Sequence, residues 1–261
     1  MSLLPTIVLV HGAWHTPYHY QPYITALEQR GFVVHCPLLP SSNGVSPPTA
    51  SLAEDVRCVG KVVESLVNSG KRVLMIMHSY GGLVGANAIE GFSRAERQKS
   101  GRPGGVIHLL YLCGYLLMPG ETIWGKVEAF GFASLWPQFM NDAPDGTTFP
   151  KDPALWFYGG IDKKVIDGDL VPRLVCAPLS IMKAEAQAIS WKNFLPATYV
   201  FTQQDYAVPR DFQTHMVSRA RDHGVSLRTE DYDTSHSIFL TRTAEMVQAA
   251  ERAAEDERNV Y

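Results

Sequence analysis

Six short runs rich in β-forming residues, most of them followed by a longer stretch with helical periodicity, constrain this chain more than any other feature. The runs fall at residues 6–10, 32–36, 72–77, 106–112, 197–202 and 226–232. Most are near-continuously apolar, the pattern of strands covered on both faces, which parallel sheets require. Helical patterns occupy 20–30, 51–69, 82–94, 209–223 and 241–258. Gly31 and Gly70 stand at the ends of the first two, and Pro209 stands at a first-turn position of the fourth. The alternation predicts an α/β fold with a mostly parallel central sheet flanked by helices.

The stretch 116–195 interrupts this rhythm and reads as a mainly helical cap inserted between core segments 1–115 and 196–261. Trp124, Trp136, Trp156 and Trp191 all lie inside it. An insertion after a strand's C-terminal end sits where open α/β sheets place their ligands, and its aromatics are suited to walling an apolar pocket. For any single tryptophan, packing within the cap's own small core is the stronger reading. The polar segment 41–51 and the charged tail 251–258 read as solvated.

With 46% hydrophobic residues the 261-residue chain has material for a sizeable core. A net charge of −3 without a Lys/Arg-rich block argues against nucleic acid or anionic membrane as partners. Cys36, Cys58, Cys113 and Cys176 form no C-x-x-C and read as reduced, mostly packed thiols, not a zinc cluster or a disulfide framework. No apolar run approaches the roughly 20 residues that cross a bilayer, and no secretory pattern opens the chain, so a cytoplasmic location is expected. Homodimerisation, common in soluble proteins, has no specific support in the sequence.

Chemistry concentrates at three strand ends. Met77-His78-Ser79-Tyr80-Gly81-Gly82 is a strand running into a helix with a serine at the corner, close to a nucleophile elbow. Such a corner lifts the hydroxyl clear of the sheet, and the helix N-terminus below it offers amides to a developing oxyanion. Met77 departs from the small residue usual two places before the serine, and the sequence leaves open whether it shifts the elbow. After the first strand, His11-Gly12-Ala13-Trp14-His15 forms a glycine loop whose Ala13 amide pairs with that of Tyr80 as an oxyanion hole; the His11 side chain is expected to brace the loop. Asp205 and His236 each follow a late strand and supply the carboxylate and imidazole that a serine nucleophile needs. Asp231 and Asp233 are alternative acids nearer to His236 in sequence, but folds of this kind normally supply the carboxylate from the loop after the preceding strand, which favours Asp205. His78 is expected to point away from the site as a packing or hydrogen-bonding residue. His15 and His19 are placed at the pocket mouth or in solvent, and Cys113 is expected to be packed.

The HGAW loop, the HSYGG corner, the aromatic cap, the QQDYAVP segment and the DTSHSIFL segment together resemble the α/β-hydrolase superfamily. The narrower resemblance is to the branch of plant methylesterases and hydroxynitrile lyases, with related bacterial and fungal hydrolases. It runs along essentially the whole chain, and the order Ser79, Asp205, His236 is that of the family's triad. The resemblance implies Ser79 as nucleophile, His236 as general base and acid, Asp205 as its orienting partner, Ala13 and Tyr80 as oxyanion donors, and no metal or organic cofactor. Gly12, Trp14, His15, Tyr18, Cys113, Trp124 and Trp136 are expected to line the pocket. The expected reaction is hydrolysis of a small apolar or aromatic ester, lactone or polyketide-like molecule. Non-hydrolytic lyase or cyclase chemistry in specialised metabolism, or ligand reception without catalysis, are the alternatives. Cyanohydrin cleavage is disfavoured: Ser237 follows His236 where such lyases carry lysine, and Gly12 stands where they carry threonine.

Overall fold

The computed structural model describes residues 4–187 and 196–255. Its centre is a six-stranded, all-parallel sheet. The core elements are β1 (Thr6–Val10), α1 (Gln21–Gln29), β2 (Val34–His35), α2 (Leu52–Asn68), β3 (Arg72–His78), α3 (Gly81–Ala88), α4 (Arg94–Lys99) and β4 (Gly105–Leu112). The insertion follows with α5 (Ile123–Ala129), α6 (Trp136–Phe139), β5 (Met140–Asp142), β6 (Thr147–Pro150), α7 (Pro153–Phe157), α8 (Lys163–Val165), β7 (Ala177–Pro178) and α9 (Ser180–Lys183). β8 (Ala197–Thr202), α10 (Arg210–Asp222), β9 (Leu227–Tyr232), α11 (Ile238–Thr241) and α12 (Thr243–Glu255) return to the core. The strand order is β2-β1-β3-β4-β8-β9.

Strand alternation builds two cores, one on each face of the sheet. Val8, Val10, Val73, Met75 and Met77 point to the side covered by α2, α3 and the insertion. Ile7, Leu9, Leu74, Ile76, Leu110 and Leu112 point to the side covered by α1 and α12. Each such side chain contributes roughly 1.5–3 kcal/mol by leaving water, so the central strands are the most strongly held part of the molecule. α2 buries Leu52, Asp55, Val59, Val63 and Val67, a stripe at three- and four-residue spacing. Its start is set by Ser51, whose hydroxyl accepts from the Ala53 amide while Glu54 accepts from the Ser51 amide.

The sequence boundaries hold to within a few residues except at α3. The expected helix 82–94 ends at Ala88, and Gly91, at φ +74°, turns the chain before Ser93 caps a separate α4. The insertion adds to its short helices a three-stranded antiparallel sheet, β5-β6-β7, that periodicity did not reveal. Segment 41–51 is not wholly solvated: Ser41 and Ser42 are buried, with the Ser41 amide donating to Asp55 at 2.8 Å. Trp191 and residues 256–258 of the tail lie outside the described residues. No described helix is long and apolar enough to cross a membrane.

Candidate active site

At the end of β3 the chain reverses into α3 through Ser79, whose φ of +55° is in the left-handed region. A non-glycine residue there costs about 1–2 kcal/mol and is held only by its surroundings. The restraints are backbone bonds: the Ser79 amide donates to Leu112, and its carbonyl accepts from the amides of Gly82 and Tyr115, both at 2.9 Å. Gly81 is needed because a Cβ there would lie 2.2 Å from the Val10 carbonyl oxygen, and Gly82 because a Cβ would come within 2.7 Å of Tyr115 backbone. Met77 does not open the elbow. Its sulfur occupies the space over Gly85, where a Cβ would lie 2.4 Å away, so a glycine in the second turn of α3 provides the room usually made by a small residue before the serine.

The loop after β1 is tied at nearly every polar group. The Gly12 amide donates to the Tyr20 hydroxyl at 2.9 Å, His11 Nδ1–H to the Gly12 carbonyl at 2.9 Å, and His15 Nδ1–H to the Ala13 carbonyl at 2.9 Å. Trp14, also left-handed at φ +62°, donates its indole N–H to the Thr148 carbonyl in β6, and its own carbonyl accepts from the Val175 amide. Among the described residues neither the Ala13 nor the Tyr80 amide has a protein acceptor, which leaves both available to a substrate oxygen. Tyr80 is anchored through its hydroxyl, which donates to the buried Asp55 carboxylate at 2.7 Å. His11 braces the loop, accepting at Nε2 from the Leu39 amide at 3.0 Å.

His236 Nδ1 lies 2.8 Å from Asp205 Oδ2, both side chains being fully buried. The carboxylate is further fixed by the Thr202 hydroxyl at 2.7 Å and the amides of Ala207 and Val208 at 2.9 and 2.8 Å. With Nδ1 engaged, Nε2 is the ring nitrogen left for a proton acceptor's work. Asp231 is instead paired with Arg210 and Asp233 with Gln204, both exposed, so neither rival carboxylate reaches the histidine.

A cavity of about 470 Å³ opens over Ser79, lined also by Ala13, Trp14, Tyr80, Trp136 and Asp205. The cap adds Ile123, Val127, Phe132, Phe139, Leu155, Trp156 and Met182, and the core adds Tyr115, Tyr206, Ala207, Pro209 and Phe212. No lysine, arginine or histidine is among these residues. Ile123 and Val127, four residues apart on α5, and Phe212, on the long α10, had a legible signal; the other cap residues sit on short elements or loops that carry none.

Five expected pocket residues are placed elsewhere. Gly12 backs onto His78 and the Cβ of Ser79, and Tyr18 is exposed, donating to Asp169 and stacked under Arg173. Trp124 packs edge-on against Trp136 from behind. Cys113 is buried beside His236, with its sulfur 3.6 Å from Nδ1. His15 and His19 are buried, not solvated: the Tyr158 hydroxyl donates to His15 Nε2, and His19 Nε2–H donates to the Leu170 carbonyl. His78, Cys113 and His236 bring potential metal-ligating atoms within 4.8 Å of one another. Each of the three already has an internal partner, so a cation there would break the Asp205–His236 pair or the bonds behind it.

Burial holds His11 down at about 4 and His15 and His78 well below the ordinary histidine value. All three are neutral when folded, whereas the unfolded chain takes up protons below about pH 6.5. Stability from this source is therefore full above that pH and falls as pH drops toward the folded values. Between pH 7.5 and 5.5 the loss is on the order of 1 kcal/mol per histidine, enough together to lower the melting temperature by roughly 10 °C. Asp55, raised by burial, acts with the opposite sign only in the carboxylate range below this window. Thermal unfolding followed at the two pH values tests this; a midpoint unchanged to within about 2 °C would show that these histidines charge in the folded protein.

The chain matches the model of the alpha/beta hydrolase family over residues 7–249. It is 28% identical over 217 residues to the alpha/beta hydrolase nvfD of Aspergillus novofumigatus, covering 83% of this chain and 84% of the relative. Its fold is similar to that of an extracellular alpha/beta-hydrolase from a Paenibacillus species, with a TM-score of 0.75 at 15% identity over 97% of this chain and 100% of the other. It is also similar to tomato methylketone synthase I, with a TM-score of 0.69 at 15% identity over 96% and 99%.

Proposed function

The chain belongs to the alpha/beta hydrolase family, and on that premise we propose that it hydrolyses a neutral, apolar or aromatic carboxylic ester or lactone through Ser79, His236 and Asp205. The observations that support this reading are the buried Asp205–His236 pair and the left-handed Ser79, with Ser79 and Asp205 both lining one apolar cavity. Ser79 Oγ attacks the substrate carbonyl carbon as His236 Nε2 takes its proton. Charge developing on the carbonyl oxygen meets the Ala13 and Tyr80 amides. Collapse expels the alcohol, which receives that proton from His236, and leaves an acyl-serine. Water, deprotonated by the same nitrogen, then releases the acid and restores the serine. The cavity's volume suits a small organic molecule. With no cationic side chain among the described residues of its lining, a substrate carboxylate would be stripped of water without a partner there, which favours neutral substrates.

Turnover of a panel of neutral aromatic esters and lactones in ¹⁸O-water tests the proposal. One solvent oxygen is expected in the acid product. A product with the mass of the substrate or of its fragments would establish lyase or cyclase chemistry instead, and binding without turnover would establish a receptor.

A further inference from the structure

Behind the reactive groups, a chain of hydrogen bonds joins the two loops that the proposed reaction needs to hold in register. The Gly12 amide donates to the Tyr20 hydroxyl at 2.9 Å, and that hydroxyl lies 2.6 Å from His78 Nδ1. His78 Nε2 in turn lies 3.1 Å from the His236 carbonyl oxygen. Only one proton placement satisfies every member. A carbonyl accepts and never donates, so His78 carries its proton on Nε2. Nδ1 is then an acceptor, so the Tyr20 hydroxyl donates to it and uses its oxygen to receive the Gly12 amide. The opposite tautomer would set two lone pairs against each other at His236 and leave the Tyr20 proton unused, in a region where all three side chains are buried.

The members are also fixed by packing. Tyr20 stacks on Phe239 with centroids 4.1 Å apart, and the His78 and His236 rings are 4.5 Å apart. The Ile238 amide and the Cys113 thiol point at the same His236 carbonyl, at 2.9 and 3.4 Å. His78 does not line the cavity and makes no contact with a substrate there. It is nevertheless the last residue of β3, directly before Ser79, and its two ring nitrogens reach the Gly12 loop through Tyr20 on one side and the His236 loop on the other.

We propose that His78, with Tyr20, is a positioning residue that fixes the Ala13 amide and the His236 ring relative to Ser79 through the Gly12–Tyr20–His78–His236 hydrogen-bond chain. This rests on the hydrolase reading. The imidazole stays neutral because it is fully desolvated beside other histidines, so its role is geometric and it carries no proton between substrate and solvent.

Two substitutions separate the two ring nitrogens. A glutamine amide nitrogen falls near the place of Nε2 and keeps a donor toward His236; an asparagine amide falls near Nδ1 and keeps only the Tyr20 side. With p-nitrophenyl butyrate, His78→Asn is expected to lower kcat about 10²-fold with KM changed less than about 3-fold, because a small misplacement of the base has that effect on the chemical step. His78→Gln is expected to recover most of that loss, and Tyr20→Phe to lower kcat roughly 10-fold. In ¹⁵N-histidine-labelled native protein, NMR is expected to show His78 protonated at Nε2 only, and Tyr20→Phe to blur that preference. Equal losses in the asparagine and glutamine variants, or losses that follow their melting temperatures, would overturn the proposal by reducing His78 to a packing residue. If native protein neither turns over esters nor reacts with a fluorophosphonate, the hydrolase reading fails on its own. The NMR result then decides the hydrogen-bond chain: Nε2 protonation lost in Tyr20→Phe upholds it, and Nδ1 protonation overturns it.

Discussion

Replacing Ser79 with alanine is expected to abolish stoichiometric labelling by a fluorophosphonate and to reduce kcat toward any ester roughly 10⁴- to 10⁶-fold. Little else should change. The Ser79 hydroxyl has no hydrogen-bond partner among the described protein residues, so its removal leaves nothing buried unpaired, and the melting temperature should stay within a few degrees. His236→Ala should lose labelling just as fully, since the hydroxyl is a poor nucleophile without a base. In that variant Asp205 keeps the Thr202 hydroxyl and the Ala207 and Val208 amides, so the loop after β8 should remain in place. Intact-mass analysis of the native protein and both variants reads the result directly. Turnover that survives Ser79→Ala would remove the serine from the mechanism, and labelling that survives His236→Ala would remove the histidine as its base.

The second large effect is on folding. Gly81→Ala would drive a Cβ to 2.2 Å from the Val10 carbonyl oxygen. The obstacle is backbone, not the end of a flexible side chain. β1 cannot yield, because it is paired with β2 on one side and β3 on the other and its five residues are all buried. The variant is expected to lose more than about 3 kcal/mol, with a melting temperature lowered by roughly 10 °C or no soluble protein at all. Gly131→Ala supplies the contrast. Unlike Gly81 it sits at positive φ, +78°, but no atom lies within 4 Å of its Cβ position, so only the backbone penalty of about 1–2 kcal/mol applies. Comparable melting temperatures for the two variants would show that the approach of α3 to β1 is not tight.

The parts of the molecule read correctly from sequence are those governed by local rules. The apolar runs at β1, β3, β4 and β8 are strands because their β-branched and aliphatic residues alternate between two buried faces, and that pattern is written in the chain itself. The corner at Ser79 and the loop at Gly12 are legible for the same reason: a glycine beside a reactive side chain marks backbone that must come close to something. The residues expected to act together, Ser79, Asp205 and His236, lie at the ends of β3, β8 and β9, and parallel strands deliver their C-terminal ends to one edge of the sheet.

The pocket was legible only in part. Trp14 and Trp136 line it, but Trp124, twelve residues before Trp136, packs behind it, and sequence neighbours of a motif such as His15 and Tyr18 face elsewhere. The cap's elements are two to seven residues long, too short for a period that tells the inner face from the outer. Met77 illustrates the same limit. Judged beside Ser79 it is an intrusion, and it becomes tolerable only because Gly85 of α3 packs over it.

By itself, then, the sequence determined the sheet, its covering helices and the strand ends from which the proposed chemistry arises, since periodicity and turn chemistry act between residues close in the chain. Tertiary structure alone decided which aromatics face the cavity, that His15 and His19 are buried, and that Tyr20 and His78 join Gly12 to His236. Those outcomes depend on side-chain directions and on contacts between residues as many as 158 positions apart, and such contacts leave no local pattern to read.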